Sequence, residues 1–250
     1  MMRQILLFAA TAAIASGASL KAPPTTPLQA ALDSAVRDTI VEFHDSGLKV
    51  EQLAVTVIDL RGSEPVSAYF RSDERFYPAS VIKLFYLAAT HRWLEDGRIA
   101  DTPELRRAMR DMIVDSSNDA TNYLVDVLSG TTGGPELPPA ELAAWHEKRL
   151  AVTKYFQSLG YTNVNATRKT WGDGPFGREK QDMDANPPAR NFLSTNDTAR
   201  LLADIVAGRC VTPARSAEML ALMARDPFMP KTDDPDNQGV LGRDDEGVVR

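Results

Sequence analysis

The sequence predicts an α/β chain of the α+β kind, in which an antiparallel hairpin precedes a long series of helices. Three observations carry that prediction. Two short runs rich in β-branched residues, Leu53 to Leu60 and Val66 to Phe70, flank the turn Arg61-Gly62-Ser63-Glu64-Pro65. The stretch from Ser80 to Glu95 is apolar nearly all round, which places a helix in the interior of a domain. Most of the remaining chain to Met223 repeats apolar residues at three- and four-residue spacing between Gly and Pro punctuation.

The elements follow in order. Arg3, the apolar run Ile5 to Ala15 and the small residues Ser16-Gly17-Ala18 read as a signal peptide over residues 1–18, cleaved after Ala18. The apolar run is too short to span a bilayer comfortably. No Cys follows it, so no lipid-anchor site is read there. The expected location is periplasmic or secreted, with no membrane association after cleavage. Lys21 to Pro27 is a Pro/Thr linker, and a single domain is expected over residues 28–250. Leu28, Leu32, Val36, Ile40 and Phe43 mark an amphipathic helix that Asp45-Ser46-Gly47 ends. The hairpin and the Ser80–Glu95 helix come next. Thr102-Pro103-Glu104 then has the cap, the N1 proline and the first-turn acid of a helix running to Ile113. Ser116-Ser117-Asn118-Asp119 interrupts, and a further helix through Leu124 and Leu128 ends at Gly130. One helix is expected from Glu141 to Leu159. Residues 161–193 have no sustained periodicity and read as a long irregular loop, a feature usually tied to function. Two helices close the pattern, one capped by Ser194 or Thr195 and one over Pro213 to Met223.

Bulk properties exclude several functions. The formal net charge is −6 and no basic stripe stands out, so neither nucleic acid nor an anionic membrane surface is an expected partner. Cys210 is the only cysteine. His44, His91 and His146 are scattered; His146-Glu147 begins like a zinc-protease motif, but Leu150 stands where the second histidine belongs. No metal and no cofactor are predicted.

The chemistry lies in two short motifs. Ser-x-x-Lys occurs at Ser46–Lys49 and at Ser80–Lys83. Ser46 sits at a helix end beside glycine and reads as a turn residue. Ser80 starts the buried helix, and three residues along a helix put Lys83 on its face. The helix start offers free N–H groups to a developing oxyanion, and burial favours a neutral, basic Lys83. The plain alternative is a helix cap with an outward lysine. The second motif is Ser116-Ser117-Asn118, a hydroxyl and an amide on a turn between helices. Ser194-Thr195-Asn196 repeats the pattern where simple N-capping accounts for it.

Pro78-Ala79-Ser80-x-x-Lys83 followed by Ser116-x-Asn118-Asp119-Ala120-x-Asn122 resembles the class A β-lactamases and related penicillin-recognising serine hydrolases. Arg190-Asn191-x-x-Ser194-Thr195 is similar to the end of that family's Ω loop. The resemblance extends from about residue 28 to 225. It implies a two-lobed fold, an antiparallel sheet with flanking helices beside an all-helical lobe, and a small-molecule substrate, a β-lactam or a cell-wall peptide. By the same resemblance Ser80 is the acylated nucleophile and Lys83 accepts its proton. Ser116 passes a proton to the leaving nitrogen, Asn118 binds the substrate amide, and the Ser80 N–H forms half of an oxyanion hole. A monomer is expected.

The sequence departs from the family in three places. Ser117 stands where the family has a structural Asp. Only 36 positions separate Ser80 from Ser116, so a segment near the cleft edge is trimmed. Neither Lys169-Thr170-Trp171 nor Lys231-Thr232-Asp233 supplies the family's Lys-Thr/Ser-Gly strand. The expectation is therefore a sheet lobe lacking its C-terminal strands. The deacylating base is open: Glu179 is the only glutamate between 161 and 193, Asp173, Asp182 and Asp184 compete, and a solvated loop charge is the alternative. Three functions remain in view: a β-lactamase-type hydrolase, a peptidase or esterase for D-amino-acid substrates, and a non-catalytic remnant.

Overall fold

The computed structural model describes residues 26–225; the leader over residues 1–18 and the polar tail lie outside the described residues. The first helix, α1 (Pro27–Glu42), is capped by Thr26, whose hydroxyl accepts the Gln29 N–H. It packs on a hairpin of β1 (Val55–Asp59) and β2 (Val66–Phe70), paired antiparallel with Val57 opposite Ala68. Leu32 and Val36 of α1 meet Ala68, with Val55, Val57 and Phe70 around them, and form one small core. Among the described residues the sheet has these two strands.

A single turn of 3-10 helix (Ala79–Val81) leads into α2 (Ile82–Glu95). All residues of α2 but Arg92 and Glu95 are buried, as its apolar sequence predicts. Around it pack α3 (Pro103–Val114), α4 (Asn118–Ser129), α6 (Ala151–Ser158) and α9 (Pro213–Met223), with α5 (Pro139–Arg149) against α4 and α6. The main core centres on Phe85, Phe156 and Tyr161, whose rings meet edge to face. α8 (Thr195–Val206) lies against β1 and α9, so it joins the sheet to the helices.

Two expectations are corrected. The predicted Glu141–Leu159 helix is two helices. Leu150 caps α5 and also precedes α6, and the second ends at Ser158. An unbroken apolar periodicity hides such a junction. The predicted irregular loop at 161–193 contains α7 (Gly177–Ala185). Its sequence, GREKQDMDA, has no apolar face, so periodicity cannot reveal it. Buried Glu179 and Asp182 fix it instead, through ion pairs to Arg149 and Arg168. The minor expectations hold: Ser46 lies in an exposed turn, and Ser194 caps α8 by accepting the Asp197 N–H.

Candidate active site

Two helix starts meet at the cleft. Ser80 sits in the turn just before α2, with an exposed side chain, and Ala79 before it has φ +44°. Ser116 sits just before α4 with φ +53°. Left-handed backbone is uncommon outside glycine, costs on the order of 1 kcal/mol or more, and clusters at functional sites. Here it turns both serines toward each other. The Ser116 hydroxyl donates to Ser80 Oγ at 3.0 Å.

Lys83 completes the cluster from one helical turn along. Its Nζ donates to Ser116 Oγ at 3.0 Å and Asn118 Oδ1 at 3.0 Å, and also to the Ser116 carbonyl oxygen. Lys83 thus reaches Ser80 through the Ser116 hydroxyl. Its side chain is only 2 % exposed, and this burial lowers its pKa from 10.5 to about 8. A neutral amine is then accessible near neutral pH. With Lys83 neutral and the two hydroxyls rotated so that Ser80 donates to Ser116 and Ser116 to Lys83, the arrangement can carry a proton from Ser80 to Lys83 and return it to a leaving group.

Ser117 has its own use. It is the N-cap of α4, accepting the Ala120 N–H at 3.2 Å, and so supports the turn that holds Ser116 and Asn118.

Glu179 does not join the cluster by any hydrogen bond. Its carboxylate is 5 % exposed; Oε1 accepts from Arg149 and lies 3.3 Å from Lys169 Nζ. Asp126 of α4 binds the same two cations at 2.7 Å each. Of the competing carboxylates, Asp182 is buried against Arg168, and Asp184 pairs with Lys180 on the surface. Lys169-Thr170 is not a strand, and Lys169 is consumed by this ionic square.

Sequence reasoning missed how the loop is tethered. Asn122, the last residue of the Ser116-x-Asn118-Asp119-Ala120-x-Asn122 motif, accepts the Thr170 N–H at 2.9 Å. Asn191 accepts the N–H groups of Thr167 and Arg168 and donates to the Arg168 carbonyl, which also accepts from Tyr86 of α2. The cue was an Asn at the loop's end, where a side-chain amide can mimic strand pairing. Two cavities lie beside the turn that carries Ser80. One of about 330 Å³ is lined by Ala79, Thr170, Trp171, Glu179 and Arg190. The other, about 520 Å³ and mainly apolar, runs between β1, Val81 and Leu202 of α8. Among the described residues no group of three or more His, Cys, Asp or Glu side chains is placed to hold a metal ion.

Comparison with known proteins bears on the fold and the family. The fold is similar to that of the β-lactamase from Sphaerobacter thermophilus DSM 20745, with TM-score 0.53 and 20 % identity, over 80 % of this chain and 75 % of that one. A variant of the last common ancestor of Gram-negative class A β-lactamases aligns at TM-score 0.47 and 19 % identity, over 75 % of this chain and 68 % of that one; the fold argument rests on the first. No curated protein matches the chain. The family model described as Beta-lactamase enzyme family matches residues 100–233, more than half of the chain. That match includes Ser116, Asn118 and the tethered loop, while Ser80 and Lys83 precede it and meet it in space. The chain belongs to the β-lactamase enzyme family.

Proposed function

We propose that the protein is an exported serine hydrolase that opens a β-lactam or a related acyl-amide bond through an acyl-enzyme on Ser80. The observation that carries this reading is the hydrogen-bonded chain Ser80–Ser116–Lys83–Asn118 at the meeting of two helix starts. In the acylation step Ser80 Oγ attacks the carbonyl carbon and its proton moves through Ser116 to neutral Lys83. The carbon–nitrogen bond then breaks as the proton returns through Ser116 to the departing nitrogen. Asn118 holds Lys83 and faces the same cleft, where it can also bind a substrate amide. Export rests on the apolar leader read from the sequence.

The test is covalent labelling. The protein is incubated with a fluorescent penicillin, digested, and the labelled peptide is located by mass spectrometry. Label is expected on Ser80 and lost in Ser80→Ala. Label on another residue, or label that survives Ser80→Ala, sinks the assignment.

A further inference from the structure

We propose that a cavity at the end of α2 far from Ser80 is a second binding site, one that takes a small aromatic monocarboxylate. The cavity has a volume of about 310 Å³, lies among α2, α6 and α8, and is closed by residues 209–211. Small-molecule sites span roughly 300–1,000 Å³, so this one suits a single-ring ligand. Arg92, which lines it, stands nine residues along α2 from Lys83, a separation of about 14 Å. It shares no lining residue with either cavity beside Ser80. The site is thus separate from the acylating one and does not depend on that chemistry.

An aromatic floor is combined there with unused donors. Tyr155, Phe156 and Tyr161 all line the cavity, and their rings meet edge to face at 5.0 Å for the first pair and 5.3 Å for the second. A further aromatic ring can join such a cluster in the same geometry. Tyr161 is 3 % exposed, yet among the described residues neither its hydroxyl nor that of Tyr155 takes part in a hydrogen bond. A buried hydroxyl left without a partner is costly, and an acceptor placed in the cavity relieves that cost. Burial raises the pKa of both phenols, so both keep their protons and stay donors. After burial, the groups that act on Tyr155 are Cys210, Arg92 and Asp96; those that act on Tyr161 are Arg200, Asp204, Cys210 and Asp197. All but Asp96 and Asp197 line the cavity, which sets both hydroxyls at its wall.

Charge selects the sign of the ligand. Three arginines and one carboxylate line the cavity. Arg92 pairs with Asp96 outside it, and Arg209 holds the lining carboxylate, Asp204. Arg200 has no ion pair among the described residues; it spends two N–H groups on the Leu159 and Gly160 carbonyls and keeps others free. Its guanidinium lies over the Tyr161 ring, 4.1 Å from the centroid. One unbalanced cation beside two neutral donors matches one carboxylate.

The closing segment is held in a conformation that its sequence resists. Val211 has φ +67°, left-handed backbone that a β-branched residue rarely takes. The Arg209 and Cys210 N–H groups both donate to the Asp204 carbonyl, and the Ser216 hydroxyl donates to the Cys210 carbonyl. Strain fixed by its surroundings in this way recurs at ligand clamps. Here it sets Val211 as an apolar wall of the cavity before any ligand arrives.

The test titrates benzoate into the full chain and reads binding by ligand-observed NMR. One-to-one saturation is expected with a Kd of about 1 mM or tighter. Benzamide, the neutral isostere, is expected to bind at least about 10-fold more weakly, because it offers no charge to Arg200. Tyr161→Phe and Arg200→Gln should each weaken benzoate binding about 10-fold, the usual worth of a hydrogen bond to a charged group. Lys83→Met, in the other cleft, should leave the Kd unchanged. Thermal melting shows that each variant is folded; Arg200 is exposed, so its variant decides the matter if Tyr161→Phe does not fold. No saturation by about 10 mM benzoate overturns the proposal. So does equal affinity for benzamide, a wild-type Kd in either folded cavity variant, or binding that falls with Lys83→Met.

Discussion

Acid should weaken the fold through His91, by an amount the structure permits one to work out. His91 lies in α2, the helix that follows Ser80 and carries Lys83, and its side chain is fully buried. Neither ring nitrogen has a hydrogen-bond partner among the described residues. Burial lowers the His91 pKa from 6.5 to about 4. The Glu218 carboxylate, 3.9 Å from Nδ1, opposes this shift, while Arg106 and Arg215, which also contact Glu218, reinforce it. Asp101 acts weakly in the same direction as Glu218. With the folded value depressed, the unfolded chain binds the proton first. Stability therefore falls as pH drops below about 6.5 and levels off below about 4. Linkage gives a loss of about 2 kcal/mol from pH 7 to pH 5, with a plateau near about 3 kcal/mol. That is a large share of a typical domain's stability of about 5–15 kcal/mol. Urea unfolding of the wild type and of His91→Leu at both pH values measures it. Leucine replaces an unpartnered imidazole, and carboxylate titrations common to both proteins cancel in the difference. The wild type is expected to lose about 2 kcal/mol more than the variant between those pH values. Parallel pH profiles for the two proteins would show that His91 does not carry the loss.

Further expectations concern the site and its supports. In the proposed acylation Lys83 acts as a neutral amine, so the rate should climb with pH through a midpoint near 8, where burial sets the Lys83 pKa; stopped-flow labelling across that range checks this, and Lys83→Arg, which stays charged, should abolish the step. Ser117→Ala removes the α4 cap and should cost about 1 kcal/mol in urea unfolding, whereas Ser117→Asp should keep the wild-type value. Gly177 has φ +51°, and a Cβ there would lie 2.0 Å from the Gly134 carbonyl oxygen, so Gly177→Ala should destabilise the protein by at least about 1 kcal/mol, seen as a lowered urea midpoint. Phe156→Ala empties the ring cluster with Phe85, Tyr155 and Tyr161 and should cost about 3–5 kcal/mol by the same assay.

The sequence was most legible where local chemistry and burial agree. The hairpin, α2, α3 and α8 follow from β-branched runs, apolar periodicity and the caps at Thr102 and Ser194, because each signal is written within one segment. The pairing of Ser80 with Ser116 was legible as a motif, though the left-handed turns that deliver it were not, since neither Ala79 nor Ser116 is a residue that announces positive φ. α7 was illegible because ion pairs from distant segments hold it. Arg149, Asp126 and Lys169 are far apart in the chain, and nothing local tells a buried Glu179 from a solvated one. The same distance hid Thr170, whose place depends on one hydrogen bond to Asn122.

The charges in and around the cleft, all buried but half-buried Asp126, divide by how they are balanced. Asp126, Arg149, Lys169 and Glu179 neutralise one another, as Arg168 and Asp182 do, and removal of one member would leave an uncompensated charge. Such groups are best read as fasteners of α7 and its loop. Lys83 is different. It is as buried as they are, yet its partners are a carbonyl, a hydroxyl and an amide oxygen, and among the described residues it forms no ion pair. A lowering of its pKa to about 8 corresponds to on the order of 3 kcal/mol disfavouring the charged form in the folded state. A methionine of similar length would avoid that cost. A buried cation without a carboxylate is expensive as structure and useful as a base, because the penalty on its charge is what makes the neutral amine available to Ser116 and Ser80. The balanced square and the unbalanced lysine therefore argue for different roles within one cleft, Glu179 for the scaffold and Lys83 for the chemistry.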